Sequence, residues 1–134
     1  MFGVFGSDKN KKLGQWGEDY IAGLYKSKGY KIFDKNYFNR SGRRVGEIDL
    51  IALKGKQLVF VEVKTRTSDA FGAPAEAVDV FKQQKLLKAC KFFIYNNPRF
   101  ADYAQRIDVA EVVADLDKQA KSVNIIENAV EDNR

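Results

Sequence analysis

GEIDLIA, residues 46–52, and VFVEVKTR, residues 59–66, stand on either side of a turn-like Lys54-Gly55-Lys56. Apolar and charged residues alternate through both strings, the period of a β-strand, and a glycine between two such runs signals a hairpin. Successive strand side chains point to opposite faces. Glu47, Asp49 and Ile51 therefore share one face of the first strand, and Phe60, Glu62, Lys64 and Arg66 share one face of the second. Ile48, Leu50, Val59, Val61 and Val63 take the opposite faces. If the two polar faces coincide, at least two carboxylates and an ammonium meet on an otherwise apolar sheet. Like charges so close repel and lose hydration, and a divalent cation, which takes oxygen ligands, is the simplest partner that offsets both effects. The plainer alternative is a solvated sheet face, where Glu, Lys and Arg alternate routinely and cross-strand pairs contribute at most about 1 kcal/mol. Asp49 argues against it, because a strand, a tight turn and a strand separate it from Glu62, the spacing that brings two carboxylates together.

Composition narrows the partners. A chain of 134 residues suffices for one domain with a single core, and 45% hydrophobic with 13% aromatic content supports a folded globule. The net charge of +5 favours a polyanion such as nucleic acid over an acidic small molecule. An anionic membrane surface would satisfy the charge equally. However, no apolar run approaches transmembrane length, and Met1-Phe2-Gly3-Val4-Phe5 is too short for a signal peptide, so no membrane role is expected. The one cysteine, Cys90, cannot form an intrachain disulfide and lies among helical apolar residues, which reads as core in a reducing, cytoplasmic setting. The absence of histidine excludes His-dependent triads, His-ligated zinc and an imidazole base.

Outward from the hairpin, the chain has no repeat, low-complexity tract or obvious linker. Ser7 or Asp8 is the expected N-cap of a helix running to Gly29, with Leu13, Trp16, Tyr20, Ile21, Leu24 and Tyr25 as its apolar stripe. Gly14 and Gly17 each weaken such a helix by roughly 1 kcal/mol relative to alanine and suggest close approach of another backbone or of phosphate. A strand is expected at Tyr30 to Phe33, continuing irregularly through Asn36-Tyr37, followed by the basic loop Arg40-Ser41-Gly42-Arg43-Arg44. After the hairpin come a loop, Thr67 to Pro74, and a second helix at Val78 to Asn96, stopped by Asn97-Pro98. Arg106 to Val113 reads as a further strand and Ser122 to Ile126 as a weaker one. The expectation is one domain over residues 1–134, with its core at about 8–113 and a C-terminal strand and tail at 114–134.

Asp49 followed by Glu62-Val63-Lys64 resembles the PD-(D/E)XK pattern of the restriction-endonuclease-like nucleases, with Ile48-Asp49 in place of Pro-Asp. A closer resemblance is to the YraN-like family, small proteins of that fold similar to archaeal Holliday junction resolvases. It runs from about Gly14 to Val113: Gly17-Glu18, Asn36-Tyr37, the two hairpin strings, Phe71-Gly72, Lys82-Gln83 with Leu86-Leu87, and Arg106-Ile107-Asp108-Val109. The family usually has Gly-Gly-Glu where this chain has Val45-Gly46-Glu47, and Arg-Phe-Asp-Val at Arg106 to Val109. Both departures lie outside the expected metal ligands. The implied architecture is a single α/β domain with an αβββαβ core, its mixed central sheet flanked by helices.

The resemblance also implies a Mg2+-dependent endonuclease, with Mn2+ as a substitute, hydrolysing phosphodiester bonds in nucleic acid, with DNA ranked ahead of RNA as substrate and branched or recombination and repair intermediates among the candidates; the residues themselves leave DNA and RNA both open. Asp49 and Glu62, with the backbone carbonyl of Val63, would supply oxygen ligands, and Lys64, on the face of Glu62, would hold or polarise the attacking water. Glu18 enters because resolvase-like members carry a first-helix glutamate that joins the metal site; by helical spacing alone it is an ordinary charged flank. Glu47 competes for that role, through water, or pairs with Arg43 or Arg44. Gln83 either orients water or phosphate or is a solvated helix residue. Arg40, Arg43, Arg44, Arg66, Lys82 and Lys85 are the expected phosphate contacts, and Tyr37, Phe38 and Phe71 either stack on exposed bases or fill the core. The alternative function is a non-catalytic nucleic-acid-binding domain that retains the fold; a third is a protein-interaction domain with an incidental basic surface. A homodimer is expected only by analogy with resolvases.

Overall fold

The computed structural model describes residues 2–38, 46–67, 80–115, 117 and 119–130, with side chains from residue 12 onward except that of Lys121. At its centre are β2 (Glu47–Lys54) and β3 (Gln57–Thr67), antiparallel, with Lys54 opposite Gln57 across the expected Gly55 turn. The edge strand β1 (Lys31–Phe38) pairs with β2, its register shifting between Ile32 and Asp34 and its Asn36 lying at φ 55°. That is the irregular course expected near Asn36-Tyr37. On the other side, β4 (Ala104–Ala114) runs parallel to β3 along its whole length, and β5 (Ala120–Ile126) closes the sheet antiparallel to β4. Parallel neighbours require a crossover, and it carries α2 (Val80–Asn96) and a short 3-10 turn at Pro98–Phe100. The sheet order is β1-β2-β3-β4-β5, preceded in the chain by α1 (Phe2–Ser27). This single α/β domain follows the expected αβββαβ order, with β5 added at the edge, and is consistent with a restriction-endonuclease-like fold.

The two helices divide the sheet between them. Ile21, Ala22 and Tyr25 of α1 pack on Leu50, Ala52, Val59, Val61, Ala110 and Val112. On the opposite face Leu86, Ala89, Cys90 and Phe93 of α2 pack on Ile51, Leu58, Phe60 and Ile107, so Cys90 is core as expected. Helix α1 lies so close to β3 that a β-carbon on Gly17 would overlap the side chain of Thr65, whereas one on Gly14 would meet nothing within 4 Å among the described residues. The close approach at Gly17 is thus to a side chain, not to the backbone or phosphate expected.

Two expectations are corrected. Helix α1 begins at Phe2, so neither Ser7 nor Asp8 is its N-cap; a serine or aspartate ends a helix only where its side chain captures backbone that would otherwise go unpaired, and here the helical turns continue through both. Ile48 belongs to the cluster under α2 together with Ile51, not with Leu50 on the α1 face. Strict alternation fails there although β2 stays paired to β1 through Ile48 and Glu47: Tyr37, opposite Ile48, also packs on the α2 cluster, so the two strands turn over together beside Asn36 and its φ of 55°. Val78 and Asp79, the expected start of α2, lie outside the described residues.

Asp108 is the one charged side chain among the described residues that is fully buried. It accepts hydrogen bonds from the Tyr25 hydroxyl at 2.6 Å, Arg106 Nε at 2.9 Å and the Asn128 backbone N–H at 3.0 Å. Arg106 also donates to the Tyr30 hydroxyl at 3.2 Å. The Arg106-Ile107-Asp108-Val109 string is therefore an internal clasp that ties α1, the entry to β1 and the segment after β5 onto β4. Burial and the bond to Asp108 push the Tyr25 hydroxyl's pKa upward.

Candidate active site

Where the β2–β3 ladder ends, the side chain of Asp49 takes over from the backbone. Its Oδ2 accepts the backbone N–H of Val63 at 2.8 Å. In an antiparallel strand the N–H and C=O of one residue leave on the same edge, so the Val63 carbonyl emerges beside the Asp49 carboxyl. The register, continued one step past Leu50 and Val61, sets Asp49 opposite Glu62, and the two carboxyl groups are hydrogen-bonded to each other. Both are half-buried.

The electrostatics follow from that placement. Burial pushes the Asp49 carboxyl up to about 8; the charge of Glu62 adds to the shift, the Val63 N–H opposes it, and Glu18 and Glu47 contribute further repulsion. Burial likewise raises Glu62, against the opposing influence of Lys64, Lys82 and the bond from Asp49. Glu18, half-buried on α1, is also raised by burial, and a side-chain hydrogen bond from Asn36 and the charge of Lys35 oppose the shift. Glu18 thus reaches the same field as Asp49, Glu62 and Glu47, though from a different element.

A cleft of about 220 Å³ opens over the pair, lined by Gly46, Glu47, Asp49, Glu62, Lys82, Lys85 and Leu86. Gly46, at φ 148°, brings the chain against α2: a β-carbon there would sit 2.7 Å from the carbonyl oxygen of Lys85. Of the expected phosphate contacts, Lys82 and Lys85 line the cleft, and Arg66 is half-buried in β3 beyond Lys64. Gln83, half-buried on α2, is not one of the lining residues. Arg40, Arg43, Arg44 and Phe71 lie outside the described residues. Among the described residues, no three carboxylate or thiol groups are drawn together tightly enough to hold a metal ion by themselves.

Sequence reasoning missed the role of Asn36. Its left-handed backbone conformation turns β1 beside α1, where its side chain bonds Glu18, and the neighbouring Lys35 pairs with Asp19. An asparagine, one of the few residues that tolerate such a φ, in the middle of a strand was the available signal.

The family model described as "Uncharacterised protein family UPF0102" matches residues 17–112. The chain belongs to the UPF0102 family. This is the YraN-like, restriction-endonuclease-like group that the motifs resemble. A UPF0102 protein of Caldanaerobacter subterraneus subsp. tengcongensis is 48% identical over 122 residues, covering 90% of this chain and 96% of its own. One of Alkaliphilus oremlandii is 43% identical over 122 residues, with 90% and 98% covered, and one of Clostridium perfringens is 39% identical over 120 residues, with 90% and 94% covered. The UPF0102 match contains Glu18, Glu47, Asp49, Glu62, Lys64 and the Arg106–Asp108 clasp. No helix among the described residues is long and apolar enough to cross a membrane.

Proposed function

We propose that this UPF0102 protein is a divalent-metal-dependent endonuclease that hydrolyses phosphodiester bonds in DNA, with Asp49, Glu62 and Lys64 at its catalytic centre. The observation that carries this reading is the half-buried, partly desolvated Asp49–Glu62 pair at the open end of a hairpin, beneath a cleft edged by Lys82 and Lys85. A domain that only bound nucleic acid would gain nothing from desolvated carboxylates facing a polyanion.

The donor set suits a hard cation. Two carboxyls that repel each other and have lost water, beside a backbone carbonyl, offer oxygen ligands only, and Mg2+ is commonly held by one or two carboxylates while keeping waters and substrate phosphate in its shell. Asp49, Glu62 and the Val63 carbonyl would hold the ion, with Glu18 and Glu47 as further oxygen donors. When bound, it supplies Lewis acidity toward the scissile phosphate and toward water. The Val63 N–H fixes the Asp49 carboxyl in the sheet plane. Lys64, whose charge already acts on Glu62, stabilises negative charge at the reacting phosphate and positions the attacking water. Lys82 and Lys85 receive the flanking phosphates.

A second reading, a nucleic-acid-binding domain that does not cut, draws on the lack of a ready three-donor group among the described residues. One experiment separates the two: labelled duplex, single-stranded, flap and four-way DNA incubated with the protein and Mg2+ or Mn2+. Metal-dependent cleavage that disappears in Asp49→Asn supports the enzyme. DNA binding without cleavage of any substrate supports the binder.

A further inference from the structure

A second cleft, of about 380 Å³, opens between the end of β1 and the C-terminal half of α2, and its walls include Asn36, Tyr37, Phe38, Phe92 and Asn96. Its volume lies within the roughly 300–1,000 Å³ usual for small-ligand sites. We infer that this cleft is a nucleobase subsite, which takes an unpaired base from the strand whose phosphate lies over Asp49 and Glu62; the inference rests on the nuclease reading.

Its lining selects a base over a phosphate. Tyr37, Phe38 and Phe92 make the lining aromatic, and the Asn96 carboxamide supplies a donor and an acceptor for a base edge, whereas that of Asn36 is bonded to Glu18. Tyr37 is held in place, with its ring edge-on to Phe93 at 5.1 Å and its hydroxyl 3.4 Å from Asn96 Nδ2. The charged groups at the rim do not suit an anion: Asp34 is itself acidic, and the Lys35 ammonium is already paired with Asp19.

Two elements run from the cleft to the carboxylate site. Phe38 stands opposite Glu47 in the β1–β2 ladder, and Glu47 lines the carboxylate cleft. On α2, Lys85 lines that cleft and Phe92 lines the second, two turns further on, a rise of roughly 10 Å. A single strand covers that distance in roughly two or three nucleotides. Stacked bases of a continuous duplex cannot enter a pocket beside the backbone they belong to, so the subsite favours DNA with unpaired nucleotides next to the scissile phosphate.

The test uses the full chain without divalent metal, so that binding is read separately from cleavage. Single-stranded and duplex oligonucleotides carrying 5-iododeoxyuridine are compared for affinity by fluorescence anisotropy and for photocrosslinking, with the crosslinked residue identified by mass spectrometry. Expected are tighter binding of the single strand, crosslinks to Tyr37, Phe38 or Phe92, and a loss of about tenfold in single-strand affinity in Phe92→Leu that Phe92→Tyr recovers. Duplex affinity should stay unchanged in both. Phe92 is only half-buried. Should Phe92→Leu nevertheless melt early, Asn96→Ala is expected to give the same selective loss. Crosslinks elsewhere, or equal affinities that none of these variants alters, overturn the subsite and leave the nuclease reading to its own cleavage assay. A parent protein that binds no DNA overturns both.

Discussion

Asp49 Oδ2 accepts the backbone N–H of Val63 at 2.8 Å, in the place where a β2 carbonyl would stand had the ladder continued. The carboxyl is thereby oriented by the sheet itself and needs no cation to hold it. Its remaining lone pairs face Glu62 and the cleft, an arrangement that keeps two acids close before any ion arrives.

Substitution of that pair should separate metal binding from folding. Asp49→Asn keeps an oxygen for the Val63 N–H and Glu62→Gln keeps the shape, while each removes one ionisable carboxyl from the pair. Calorimetric titration with Mn2+ is expected to show most of the binding heat lost in both, with the metal-free melting temperature equal to the parent's or a few degrees higher. Parental Mn2+ heats in both variants would remove the site.

The raised pKa values of Asp49 and Glu62 give the metal-free protein a specific pH profile. A carboxyl that is easier to protonate in the folded than in the unfolded chain contributes stability that is full below the ordinary carboxylate range and is lost as pH rises through the folded value, about 8 for Asp49. Urea midpoints should therefore fall between pH 5 and pH 8, and saturating Mg2+ should shrink the fall because the ion takes the place of the proton. Asp49→Asn should flatten the profile without metal. A parent curve just as flat over that range contradicts the assignment.

Lys64 distinguishes cutting from binding. Lys64→Ala should retain Mn2+ and DNA affinity within a few fold and lose cleavage by about two to four orders of magnitude, the scale of a lost acid-base or charge-stabilising group. Single-turnover cleavage measured beside anisotropy binding checks this, and a matching loss in both would reduce Lys64 to a phosphate contact.

The lysines on α2 should carry part of the phosphate interaction. Replacing Lys82 and Lys85 with alanine should weaken DNA binding uniformly across sequences and make the plot of log K against log salt shallower, by about 0.9 for each duplex phosphate that is no longer neutralised. An unchanged slope moves the phosphate track away from this helix.

The hairpin and its carboxylates were legible because local rules govern them: the Gly55 turn sets the register, and the period-two pattern of VFVEVKTR holds from Val59 to Val63. Ile48 was misread because alternation was carried past the left-handed turn at Asn36 on the neighbouring strand, where Ile48 and its partner Tyr37 both move to the α2 face. Asn36 and Glu18 meet only because the sheet edge twists under α1, which no single segment encodes. Asp108 was visible only as part of a motif, and its purpose needed Tyr25 and Tyr30 from one distant stretch of the chain and Asn128 from another.

That clasp yields a stability prediction. Tyr25→Phe removes one bond to a buried carboxylate and should lower unfolding free energy by about 1.5–3 kcal/mol, while Asp108→Ala takes the acceptor from Tyr25, the Asn128 N–H and Arg106 together, leaving Arg106 only Tyr30 and Glu127, and should lower it by about 3–5 kcal/mol. Urea denaturation at constant pH checks both, and a neutral Tyr25→Phe would show that water replaces the phenol.

The parallel seam between β3 and β4 has a further consequence, for the order of assembly. Gln57 and Ala104, which meet at its start, are 47 positions apart, whereas the β2–β3 hairpin closes through a single turn. Hairpins form in about 1–10 μs, and long-range parallel pairing waits on the loss of far more chain entropy. The nascent chain should therefore bring its two acids together early, and they would remain exposed to water and easily hydrated until α2 crosses over them. The desolvation on which the proposed chemistry depends would be the last thing folding delivers.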